Sequence, residues 1–147
     1  MRFEPVLLAL LLLSCPAQAV CTSLAVSATP LDFGVYDPSV TRASTGTITV
    51  QCGVGILPSL TITLTAGSGS YVQRRMQLGP DALNYNLYVD AAHMTVWGDG
   101  SGGTATQGLS GLISLGSTDY TVYGLMDAGQ YPAPGSYTDT IVVGVIF

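Results

Sequence analysis

Gly135-Ser136-Tyr137-Thr138-Asp139-Thr140-Ile141-Val142-Val143-Gly144-Val145-Ile146-Phe147 alternates in the manner of an extended strand. Side chains two residues apart share a face. That rule groups Tyr137, Asp139, Ile141, Val143, Val145 and Phe147 against Thr138, Thr140, Val142, Gly144 and Ile146. β-Branched enrichment and the lead-in Pro132-Ala133-Pro134-Gly135 predict a strand over 135–147. From Ile141 to Phe147 there is neither a charge nor a proline, the composition that makes a bare sheet edge an aggregation hazard. Such a strand needs cover, either from earlier strands on both sides or from another polypeptide.

Residues 1–19 have the pattern of a secretory leader. Arg2 gives a weakly positive start, the apolar run Val6–Leu13 is too short to span a bilayer, and Ala17-Gln18-Ala19 fits small-x-small cleavage. A competing reading takes Leu12-Leu13-Ser14-Cys15 as a lipobox with Cys15 acylated. Either way the chain is expected in the periplasm or beyond, with one domain over 20–147. The net charge is −5 and there is no lysine; the four basic residues are Arg2, Arg42, Arg74 and Arg75. No basic patch is available to neutralise phosphates, which argues against nucleic acid as a partner. Cys21 and Cys52 are the two cysteines left after leader cleavage, and in an exported chain such a pair reads as a disulfide. Two thiols and the single histidine fall short of a zinc site.

Beyond the leader, the chain reads as short strands separated by turns. Leu24–Ala28 alternates until Pro30, residues 38–46 read as a loop, and Thr47–Cys52 alternates with Ile48, Val50 and Cys52 inward. Gly53–Pro58 reads as a connection, and Leu60–Ala66 as a half-buried strand of alternating aliphatics and threonines. Tyr71–Leu78 is a less regular strand, with Arg74 and Arg75 expected on a solvated or Asp-paired face. Leu83–Val89, 109–115 and 119–127 complete the candidates, with a further short stretch at His93–Trp97. No long segment keeps a helical period uninterrupted by Gly or Pro, so the fold class is all-β, a sandwich.

Catalytic and cofactor patterns are weak. His93 has no Gly-x-Ser-x-Gly elbow to serve, and the acids are aspartates scattered through turns. Gly98-Asp99-Gly100-Ser101-Gly102-Gly103 lacks the lysine of a phosphate loop and reads as an exposed loop over a buried Trp97. No enzyme activity, cofactor or metal is expected.

Several phrases, taken in order, carry a resemblance. They are Cys21, Leu31-Asp32-Phe33-Gly34-Val35-Tyr36-Asp37, Thr45–Cys52, Leu83–Asp90, Val96-Trp97-Gly98-Asp99-Gly100, Val122-Tyr123-Gly124 and Gly135–Thr140. Together they resemble the spore coat U domain family, to which the archaic (Csu-type) chaperone–usher pilins belong. The resemblance implies an incomplete immunoglobulin-like sandwich completed by a donor strand, a mode of β-augmentation known from chaperone–pilin complexes. It implies as partners a periplasmic pilus chaperone, an outer-membrane usher and a neighbouring subunit that donates a strand, with a host or abiotic surface as an eventual ligand. The implied groove edge is Ile141, Val143, Val145 and Phe147. The function expected is a non-enzymatic subunit of a surface pilus, terminal or minor because only Val20 separates the cleavage site from Cys21 and leaves no strand to donate. The alternative is a self-sufficient secreted sandwich, either a coat component or a carbohydrate-binding module.

Overall fold

The computed structural model describes Cys21 and residues 23–147, the side chains of 54–58 and 110–115 excepted; the expected leader lies outside them. Six strands follow in chain order: β1 (Leu24–Ala28), β2 (Arg42–Leu64), β3 (Arg74–Leu78), β4 (Asp81–Tyr88), β5 (Gln107–Met126) and β6 (Val143–Ile146). All pairings are antiparallel, in the order β1-β2-β5-β4-β3, with β6 attached separately to β2.

The long β2–β5 ribbon organises the rest. Ile48, Val50 and Cys52 point inward from its first half and Leu60, Ile62 and Leu64 from its second, with Thr and Gln between them facing out. Gly53–Pro58 is therefore not a connection. The ladder runs through it, and two register shifts, between Cys52 and Ile56 and between Leu57 and Ser59, absorb the glycines and Pro58. The same ribbon draws residues 42–46 out of the expected loop and merges 109–115 with 119–127 into one strand.

Beyond the bulges β2 changes neighbours. Its first half pairs with β1 (Leu24↔Cys52 to Ala28↔Ile48), and its end pairs with β6 (Thr61↔Ile146 to Leu64↔Val143). The sheet thus curls around one apolar core, in which Trp97 is fully buried and donates its indole N–H to the Ile62 carbonyl at 3.0 Å. The Cys21–Cys52 disulfide ties the segment before β1 to the middle of β2, with Cα atoms 5.9 Å apart.

Of the expected solvated or Asp-paired face, the solvated half fails at Arg74. It is fully buried, whereas its neighbour Arg75 is exposed. Its guanidinium donates to the Thr65 carbonyl (Nε 3.1 Å, Nη2 2.9 Å), the Trp97 carbonyl (2.7 Å) and Asn86 Oδ1 (2.6 Å). It also lies 5.5 Å from the centre of the Tyr71 ring. The fixed fork of an arginine suits three acceptors on separate segments better than a lysine would. Burial pulls its pKa down, opposed by nearby Tyr85, Tyr71 and Asp139.

Replacing Arg74 by Met should strand those three acceptors and cost at least about 3 kcal/mol, with Lys restoring little of it. Urea unfolding followed by Trp97 fluorescence measures both. Cys52→Ser should cost about 3–4 kcal/mol by opening a loop of 31 residues. Alkylation and intact mass after denaturation should find no free thiol at Cys21 or Cys52 in periplasmic material.

Candidate functional site: an open apolar groove

The expected single strand over 135–147 is broken in two. Thr138 exchanges both main-chain hydrogen bonds with Gln77 of β3 (2.8 and 3.2 Å), and the chain joins β2 only from Val143. Between these points it crosses from one sheet edge to another. Asp139 replaces the missing ladder. Its Oδ1 accepts the Ser68 N–H, the Ser68 hydroxyl and its neighbour Thr140 N–H, each at 2.9 Å. Its Oδ2 accepts the Tyr85 hydroxyl at 2.7 Å. Gly67, at φ +62°, sits directly against this carboxylate, where a Cβ would collide with it. Val142 completes the crossing by bonding both the amide and the hydroxyl of Thr65.

Opposite this segment, residues 29–37 form no strand ladder, with Gly34 at φ +69° and a bend at Val35, before a turn at 38–40. Thr29 still reaches β2 by bonding the Thr47 carbonyl, and Ser44 Oγ holds the Asp32 carbonyl at 2.6 Å. Tyr36 spans further, donating to the Asp127 carbonyl (2.9 Å) and accepting from the Gln130 amide (3.0 Å). Leu31 and Phe33 lie over Gly124, where a Cβ would come within 2.9 Å of both. A side chain there would push this segment outward.

Between the two segments lies a groove. One part, of about 420 Å³, has Ala28, Pro30, Leu31 and Phe33 on one wall and Tyr137, Asp139, Ile141 and Val143 on the other, above Ile48, Leu64, Leu87 and Val122. A second part, of about 900 Å³, continues past Tyr36 and Pro38 on one side and Tyr131–Ser136 on the other. Pro30, Leu31, Phe33, Met76 and Tyr137 line both, so the two parts adjoin. Tyr85 and Asp139 are the polar pair in its apolar part. Burial raises the pKa of the Tyr85 hydroxyl first, and its hydrogen bond to the Asp139 carboxylate raises it further.

The expected groove residues do not all fall together. Ile141, Val143 and Val145 are partly buried and pack against the core, and Ile141 and Val143 line the groove itself. Phe147 lies past the ladder, 58% exposed, and lines neither part. Val142 and Ile146 turn to solvent. The opposite wall of Leu31 and Phe33, and the Tyr85–Asp139 pair, were missed. The alternation Leu31-Asp32-Phe33 directly after Pro30 was the available signal for the first; the second depends on contacts across the fold.

Elsewhere, His93 sits at φ +55° on the sheet surface, edge-on to Tyr88 (5.3 Å) and near Tyr123 (6.4 Å). Among the described residues no three His, Cys, Asp or Glu side chains cluster in a way that could hold a metal ion.

Comparison with known proteins adds the family. The Spore Coat Protein U domain matches residues 7–144. Protein U of Myxococcus xanthus is 35% identical over 136 residues, covering 80% of this chain and 71% of that protein. Among solved structures, a chain of the CsuC–CsuE chaperone–tip adhesion subunit pre-assembly complex, from archaic chaperone–usher Csu pili of Acinetobacter baumannii, superposes with a TM-score of 0.62 at 19% identity. The match covers 85% of this chain but only 39% of that one, and at that identity it is a likeness of fold. An all-β sandwich of this shape and a domain match over nearly the whole length agree: the chain belongs to the Spore Coat Protein U domain family.

Proposed function

We propose that this chain is a non-enzymatic subunit of an exported surface fibre of the chaperone–usher kind, whose groove takes an extended strand from another polypeptide. One observation carries the reading: an apolar channel lies open between the first and last segments of the domain, and the strands beside it have a free edge. Among the described residues β1 and β6 each pair with β2 alone. An inserted strand would satisfy main-chain groups along those edges and place alternate side chains into the channel. A periplasmic chaperone would supply it first and a neighbouring subunit later, with an outer-membrane usher between the two stages. The likeness to a chaperone–subunit complex supports those partners.

Within such a fibre we place the chain at a terminal or minor position, with a surface ligand as its eventual target. The disulfide supports this, because it fastens the start of β1 to β2 of the same domain and withholds β1 from donation. Labelling at regular intervals along a fibre would contradict that placement. A second reading, a coat component that folds unaided, is favoured by the match to the spore coat domain.

Co-expression with a periplasmic chaperone of this class separates the readings. Leu31→Asp and Val143→Asp, one on each wall, should abolish co-purification, while Ile146→Asp, on the 63% exposed outer face, should leave it intact. Without the chaperone the protein should be lost to aggregation. A soluble, cooperatively melting monomer made with no partner would favour the coat reading.

A further inference from the structure

The apolar part of the groove contains one place where an apolar side chain fits poorly. Tyr85 is buried, and its single hydroxyl proton is committed to Asp139 Oδ2 at 2.7 Å. Toward anything else the Tyr85 oxygen can only accept. Asp139 Oδ1 is saturated by three donors, whereas Oδ2 receives Tyr85 as its hydrogen-bond donor and lies against Gly67. Both oxygens belong to residues that line the channel. The pair therefore offers acceptors and no donor.

A strand lying in the channel would strip water from these acceptors. A bulky aliphatic residue at that point would return nothing for the loss, and a hydroxyl would replace the water. A cation on the strand is disfavoured, because buried Arg74 already lies within electrostatic reach of Asp139 and would repel it. We propose that Tyr85 and Asp139 read the incoming strand, which presents a neutral donor, a serine or threonine hydroxyl, where it meets them and bulky apolar residues at its other inward positions. This rests on the groove's accepting a strand, and it adds a rule about which strand.

Threonine and valine are nearly isosteric, so a scan between them tests the rule. An extended segment of about ten residues, with valine at every inward position, is tethered behind Phe147 through a flexible linker, in forward and reversed order. Each inward valine is then changed singly to Thr and to Lys, and thermal midpoints are compared. At one position Thr should raise the midpoint by about 3–6 °C over Val, and Lys should not match it. At the other inward positions Thr should lower it. In the double variant Tyr85→Phe, Asp139→Ala the gain should vanish. If the all-valine segment stabilises but no position prefers Thr, the groove stands and this rule falls. A gain that survives in the double variant overturns it as well. If no segment stabilises in either direction, the groove reading fails together with it.

Discussion

The free edge of β6 governs much of this structure. Main-chain amides and carbonyls cannot be left both buried and unpaired. Yet the terminal segment satisfies them on one side only, through Gln77 at Thr138 and through β2 from Val143 onward. On the opposite wall, residues 29–41 are held by isolated anchors, Ser44, Tyr36 and the Thr29–Thr47 contact, and make no continuous ladder. An apolar floor lies between them, and no main-chain hydrogen bond joins the two walls among the described residues. On the proposed reading, the missing element is supplied by another chain.

The wall formed by the terminal segment is set by polar contacts more than by apolar ones. Asp139 fixes where the terminal segment crosses, through Ser68 and Tyr85. Arg74, one turn of chain beyond the same loop, clamps Thr65, Asn86 and Trp97 behind it. Asn86 in turn donates to the carbonyls of Tyr71 and Val72, closing the loop that Asp139 caps. A buried network with its donors and acceptors matched rigidifies what it connects. Here it fixes the far wall of the groove while the near wall rests on Leu31 and Phe33 against Gly124.

What could be read from the sequence was the period-two pattern and the chemistry of punctuation. Alternation alone points Ile48, Val50 and Cys52 inward and makes Leu60–Ala66 a half-buried strand, and Leu60, Ile62 and Leu64 are buried with the first three. The Cys21–Cys52 bridge and a buried Trp97 under a glycine loop were also legible. Arg74 was not. Nothing local distinguishes it from exposed Arg75, since its burial depends on acceptors contributed by three separate segments. The break in the terminal strand was hidden for the same reason: alternation runs unbroken through Asp139, and contacts with Gln77, Ser68, Tyr85 and Thr65 redirect it. Gly53 and Pro58 misled in the other direction, because bulges let a ladder pass residues that ordinarily stop one.

Amide hydrogen exchange across both walls shows whether a strand from another polypeptide fills this groove. Exchange is measured on the purified complex with the periplasmic chaperone and on the chain released from it. Amides in 29–36 and in 137–146 should become protected together in the complex, while those in the Arg42–Cys52 part of β2 change little. Walls that are equally protected with and without the partner, or protection confined to the outer face of β6, would contradict a filled groove.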